Sequence, residues 1–235
     1  MKNRKTIIWD FDGTLSCGQK LWSKAMMFAL DTYMPNHNIS VEHIIPYLKD
    51  TFPWHKADIA HPELSTPSSW WNYTENIMSN AYINAGLSPS SSKVLASLAH
   101  EKYISPDSYT LYPNAKNILH SLKQSGWQHI ILSNHVPELP DIIKAKGLSE
   151  FISHCISSAN IGYEKPNIQS FKIALDIIGY PEKAVMIGDN IQADIKGAEQ
   201  AGIPAILVHT PASDTVKYHA STLDDIPFII DSIFN

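Results

Sequence analysis

The chain has 235 residues, long enough for one large domain or for a domain that carries a sizeable insertion. Its hydrophobic content of 44% can supply a core, and the formal net charge of −5 is spread along the chain, which leaves no electrostatic footprint for nucleic acid or an anionic membrane. Arg4 is the single arginine among 18 basic residues, so the bidentate anion clamps that arginine makes best are absent beyond the N-terminal tail.

The first element is the apolar run of "TIIWDFDGTL", Thr6 to Leu15, which reads as a strand. It ends in Asp10 and Asp12, spaced by Phe11 and followed by Gly13. A turn at Asp12-Gly13 with a solvated Asp10 would explain these residues, and so would a reactive carboxylate pair. Lys2 to Lys5 are basic, but Asp10 and Asp12 interrupt the run that follows, so no signal-peptide core forms. No apolar segment approaches the roughly 20 residues of a membrane helix. Cys17 and Cys155 have no metal-type spacing and are too few for a disulfide framework, which suits a reducing compartment. A cytoplasmic protein is expected.

Residues 16–107 show helical periodicity and no comparable strand. "KLWSKAMMFALDTYM" places Leu21, Trp22, Ala25, Met26, Ala29 and Leu30 at helical spacing, and "SWWNYTENIMSNAYINAG" repeats the pattern before Gly86. "VEHIIPYLKD" (41–50), interrupted by Pro46, and "SSKVLASLAHEKYI" (91–104) are weaker helical patterns. From about residue 110 the pattern changes to short apolar runs alternating with helices: "WQHIILSN" (127–134), "SHCISS" (153–158), "AVMIGD" (184–189) and "PAILVHT" (204–210). That alternation predicts an α/β fold with a parallel sheet, made of residues 1–15 and 108–235 and interrupted by an all-helical domain of residues 16–107. An insertion after the first strand hangs over the carboxyl ends of the strands, where open parallel sheets bind ligands.

Each strand end carries a polar cluster: Asp10 and Asp12, then Ser133-Asn134, then Lys165-Pro166, then Asp189 with Asp194 five residues on. Each is weak evidence alone; their order is specific. "DFDGTL", "SN", "KP" and "GDNIQAD" in this order resemble the four motifs of the haloacid dehalogenase-like hydrolases, over the whole chain and with a helical cap between the first two motifs. The resemblance implies a Rossmann-like core with helices on both faces of the sheet, and motifs that converge at its C-terminal edge. It implies Asp10 as nucleophile, Asp12 as acid and base, and Lys165 as the group that neutralises charge on the transferring phosphoryl group and steadies Asp10. Phosphate oxygens would be held around Phe11, Asp12, Gly13, Thr14, Ser133, Asn134 and Lys165. Asp10, Asp12 and Asp189 would hold Mg2+, with Asp194 in its first or second shell or orienting Lys165. Charge agrees: the four carboxylates, one of them protonated, sum to neutrality with one ammonium and one divalent cation.

In the family's dehalogenases the position of Asp12 is not aspartate, because halide needs no leaving-group proton, so the resemblance favours phosphate ester hydrolysis on a small phosphorylated metabolite. A phosphomutase would use cationic cap residues, including arginine, to hold a second phosphate; this segment has none. A phospho-aspartate signalling or interaction protein is a third reading, set against the size of the insertion. Trp54, Trp70, Trp71 and Tyr73 are expected to pack the insertion's own core rather than form a substrate platform. His55 and His61 are expected to be solvated or capping. Monomer and homodimer are both open.

Overall fold

The computed structural model describes residues 4–18 and 20–234. Met1, Lys2, Asn3, Gln19 and Asn235 lie outside the described residues, and with them part of the basic start used in the signal-peptide argument. Strand β1 (Lys5–Trp9) leads into the insertion, whose helices are α1 (Leu21–Tyr33), α2 (Pro67–Asn84) and α3 (Pro89–Ile104). The remaining chain runs α4 (Ala115–Gln124), β2 (Trp127–Ser133), α5 (Leu139–Ala145), β3 (Ile152–Ser157), α6 (Ser158–Ile161), α7 (Ile168–Ile178) and β4 (Lys183–Gly188). After a π-helical turn at Ile191–Lys196 come α8 (Gly197–Gln200), β5 (Ala205–Val208), β6 (Tyr218–Ala220) and α9 (Ile226–Phe234).

The strands form one six-stranded parallel sheet in the order β3-β2-β1-β4-β5-β6. β1 is central, and its side chains alternate between two cores. Ile7, Trp9 and Phe11 join the cluster built with α4, α5 and α9, while Ile8 joins Phe171 of α7 and Ala198 of α8 on the other face. Both faces are covered, which is why the run is apolar without a break. The register pairs Trp9 with Ile131 of β2 and Ile187 of β4, so the residues just beyond these three strands emerge side by side.

Residues of α1, α2 and α3 bury their apolar faces in a separate cluster that includes Met26, Leu30, Trp70, Met78, Tyr82 and Leu95. The segment 41–50 is not a helix. It makes two three-residue 3₁₀ turns, Val41–His43 and Ile45–Tyr47, because Pro46 has no N–H to continue a helical ladder. The segments entering and leaving the insertion lie side by side: Cys17 N–H donates to Thr110 O at 2.8 Å and Tyr112 N–H to Leu15 O at 2.9 Å. No described helix is long and apolar enough to cross a membrane.

One polar residue ties the sheet to its helical layer. His129 of β2 is fully buried; its Nδ1 accepts from Trp9 Nε1 at 3.0 Å, and its Nε2 donates to Leu119 O of α4 at 3.0 Å. Those partners require the neutral ring with its proton on Nε2, since a second proton would face the indole N–H. Burial pulls the His129 pKa down from 6.5 to about 4, although the Leu119 carbonyl works the other way. The unfolded chain therefore binds this proton before the folded one does, and stability falls as the pH drops from 6.5 towards 4. Denaturant melts across this window should lose on the order of 2–3 kcal/mol through this group, and His129→Gln, which cannot titrate, should flatten that part of the profile.

Candidate active site

The ends of β1, β2 and β4 bring three of the sequence motifs together. Asp10 continues β1 by one residue, its N–H donating to Ile187 O at 2.9 Å. Its Oδ1 accepts from Ser133 Oγ at 2.9 Å and from Lys165 Nζ at 2.7 Å. Both bonds end on the same oxygen, which leaves Oδ2 for another partner. Lys165 Nζ also donates to Asp194 Oδ1 at 2.5 Å, and the second oxygen of Asp194 accepts from Asn190 N–H at 3.0 Å. Asn134 fixes the lysine's backbone from both sides: its Nδ2 donates to Lys165 O at 2.8 Å and its Oδ1 accepts from Lys165 N–H at 2.7 Å. Asp10, Lys165 and Asp194 are all nearly buried, at 6%, 2% and 1% exposure.

Beyond Asp10 the chain turns back tightly, with Phe11 O accepting from the N–H groups of Leu15 and Ser16 at 3.0 and 2.8 Å. Gly13 sits in this turn at φ +88°, and a Cβ there would lie 2.2 Å from Asp189 Oδ2. Glycine is therefore required twice, by the backbone and by the approach of the aspartate. Gly188 is needed for the same close approach by Asp194, whose Oδ2 would lie 2.2 Å from a Cβ. Thr14 Oγ1 is buried without a partner, and Asn134, half-buried, contributes its side chain to Lys165.

The electrostatics follow from burial first and from crowding second. Burial, then the charges of Asp10 and Asp189, hold the Asp12 carboxyl well above the usual carboxylate range. Burial, then Asp10 and Asp194, push Asp189 up to about 7. Burial works against the Lys165 charge, but Asp10 and Asp194 outweigh it and hold the ammonium above its ordinary range. One oxygen from each of Asp10, Asp189 and Asp194 lies within 4.8 Å of the others, a hard-oxygen donor set that fits a magnesium ion.

The site opens into a cavity of about 750 Å³ beneath the helical insertion. Trp22, Phe52, Trp54 and Tyr103 line it from the insertion side, with Lys20 and Lys49 nearby. Trp70 and Trp71 pack the insertion's core as expected. Tyr73 is instead exposed, donating to Thr51 O at 3.0 Å, and Trp54, on the short 3₁₀ turn Pro53–Lys56, packs against that core while also lining the cavity. His55 is exposed and accepts from Phe52 N–H, a capping role as expected. His61 differs from expectation: it is buried, with Nε2 3.1 Å from Glu164 Oε1, and bridges the insertion to the residue before Lys165.

Sequence reasoning missed His135. It is buried, its Nε2 lies 3.5 Å from Asp12 Oδ2, and burial pulls its pKa down to about 4, so a neutral imidazole faces the acid. Its position directly after Ser133-Asn134 was the available signal. Asp12, half-buried, keeps one oxygen without a protein partner.

The chain is similar to known proteins. A family model described as haloacid dehalogenase-like hydrolase matches residues 4–202. A phosphoserine phosphatase from Thermus thermophilus is 32% identical over 172 residues, covering 67% of this chain and 68% of that protein. A glyceraldehyde 3-phosphate phosphatase from Methanothermobacter thermautotrophicus is 33% identical over 125 residues, covering 52% of this chain and 55% of that protein, so the match spans about half of its length. Among solved structures, the putative HAD-hydrolase YfnB from Bacillus subtilis, bound to magnesium, superposes with a TM-score of 0.75 at 18% identity, covering 98% and 100% of the two chains. A 2-haloacid dehalogenase from Pseudomonas syringae gives 0.72 at 20% identity over 98% and 99%. At these identities the structures establish a shared fold.

Two substitutions probe how this edge is built. Gly13→Ala should place a side chain in left-handed backbone against Asp189, costing about 1–3 kcal/mol in chemical denaturation. Asn134→Ala removes two hydrogen bonds to the Lys165 backbone and should lower stability by roughly 1–3 kcal/mol in the same measurement.

Proposed function

The chain belongs to the haloacid dehalogenase-like hydrolase family, on its phosphatase branch, and from that premise we propose a magnesium-dependent phosphatase that acts on a small phosphorylated metabolite through an aspartyl-phosphate intermediate. The observation that carries the reading is the pairing of Asp10, gripped through one oxygen by Ser133 and Lys165, with Asp12, whose carboxyl is raised beside a neutral His135. A nucleophile held that way needs only a neighbour able to give up a proton, and a raised carboxyl is such a neighbour.

In this reading Asp10 attacks phosphorus, the ester P–O bond breaks, and Asp12 protonates the departing oxygen. Asp12, now a carboxylate, takes a proton from water as that water attacks the phosphoryl group, and inorganic phosphate leaves with Asp10 restored. Ser133 and the N–H groups of the turn after Asp10 hold phosphate oxygens, and Lys165 balances their charge. Asp189, the Asp10 carboxylate and the Asp12 carbonyl would hold magnesium, which supplies further charge neutralisation for those oxygens. The occupied oxygens of Asp194 support its role in orienting Lys165. Residues 16–107 serve as a cap that keeps bulk water from the intermediate, and Lys20 and Lys49 bring positive charge to the cavity's lining. A cytoplasmic setting fits the two free thiols, Cys17 and Cys155.

Phosphate release from a panel of esters should require magnesium, vanish with a chelator and return when the ion is restored. Asp10→Asn should abolish it; undiminished release from that variant would sink the reading. Asp12→Asn should lower kcat by about 10²–10⁴, and acid-quenched protein should carry phosphate on Asp10.

A further inference from the structure

The insertion's contribution to the cavity is a ladder of rings. Trp22 stacks on Tyr103 with centroids 4.1 Å apart and planes 27° apart, and meets Phe52 at 4.7 Å. Phe52 in turn stacks on Trp54 at 4.5 Å and 7°. The ladder has a direction. Tyr103 lies at its catalytic end, 5.9 Å from the His135 ring, which itself faces Asp12. Trp54 lies at the other end, on the turn beside exposed His55.

The two ends of burial matter. Phe52 and Tyr103 are buried, at 3% and 4% exposure, and act as backing. Trp22 and Trp54 are only half-buried although both pack against the insertion's core. They line the cavity, so part of each indole is left to whatever fills it. Trp70 and Trp71 already supply the large anchors that a small helical module needs, so core filling does not account for two further tryptophans at an opening. A cavity of about 750 Å³ also exceeds what a three-carbon phosphate ester would fill.

We propose that the leaving group of the preferred substrate carries a flat conjugated ring, and that Trp22 and Trp54 select it by stacking. The inference rests on the phosphatase reading, because Asp12 faces the departing oxygen and the ladder starts on that side. The phosphoryl group sits against the free Oδ2 of Asp10, since Oδ1 is bonded to Ser133 and Lys165, and the remainder of the ester extends along the rings. An aliphatic leaving group would bury apolar surface there but could not stack on Trp54 as Phe52 does, with planes 7° apart. A nucleobase and a pyridine ring share the required chemistry.

The test compares esters that differ in the ring. With magnesium, adenosine 5′-monophosphate and pyridoxine 5′-phosphate are set against ribose 5-phosphate and phosphoserine. At least one ring-bearing ester should exceed both others by roughly tenfold or more in kcat/KM, chiefly through KM, and the one that does names the ring's source. The ratio should collapse towards unity in Trp54→Leu, which keeps an apolar side chain and removes the ring. If ribose 5-phosphate or phosphoserine is hydrolysed as well as the better of the two ring esters, the ring inference fails and the phosphatase reading stands. A folded Trp54→Leu that keeps the ratio also overturns it. Should no ester yield phosphate, the phosphatase reading fails, and the ring inference is read from tryptophan fluorescence of Asp10→Asn. Quenching by the two ring esters at tenfold lower concentration than by ribose 5-phosphate upholds it, and equal concentrations overturn it. If Trp54→Leu does not fold, the wild-type ratio and the Asp10→Asn titration decide by themselves.

Discussion

Asp10, Asp189 and Asp194 converge within 4.8 Å of one another at the end of a parallel sheet, and one ammonium, Lys165, is bonded into the group. Two like charges 4 Å apart in a partly buried site repel by about 4 kcal/mol at an effective dielectric near 20. Most of the surrounding structure answers that repulsion. Lys165 bridges Asp10 and Asp194, Asn134 pins the lysine's backbone so that it cannot swing away, and the Asn190 N–H takes the remaining oxygen of Asp194. Gly13 and Gly188 are bare so that the carboxylates of Asp189 and Asp194 can approach the backbone closely. Burial, and then the repulsion that remains, raise the carboxyls of Asp12 and Asp189, and a divalent cation would relieve the repulsion.

The sheet makes this crowding possible. Charges could not be held so near one another on loops alone; here the strands β1, β2 and β4 are buried on both faces and locked in register before their ends diverge. The helical insertion is tied to that edge at more than its entry and exit. Trp71 Nε1 reaches Glu138 at 3.0 Å, Asn167 Nδ2 reaches Ala57 O at 3.1 Å, and His61 N–H reaches Gly162 O at 2.9 Å. The last two flank Lys165 on either side in sequence. The insertion's position and the lysine's surroundings are thus coupled through the same short stretch of chain.

Much of this was legible in the sequence because the signals were local. An apolar run buried on both faces announces a central strand, and Asp10, Ser133 and Asp189 stand at the ends of such runs. β6 was not legible: "YHA" is three residues without an apolar run and is a strand only because β5 offers it an edge. His135 and His61 were missed or misjudged for a related reason. A buried histidine's partner, here Asp12 or Glu164, comes from a distant part of the chain, and apart from the Ser133-Asn134 that precedes His135 the flanking residues carry no sign of it. Trp54 packs against the core as expected, and its place at the cavity is the part the sequence does not show. Its helical turn is so short that no periodicity assigns it a face, so only the folded chain shows it at the cavity.

The paired crossing at Leu15–Cys17 and Thr110–Tyr112 has a consequence for descent. Everything between enters and leaves through neighbouring backbone positions, so the sheet would close over the gap with little more than a tight turn if that stretch were absent. Because the entropy of closing a loop grows only logarithmically with its length, the sheet is nearly indifferent to how much chain is spliced in there. The length of chain between these crossings can therefore vary while the strand ends that carry Asp10, Ser133 and Asp189 keep their register.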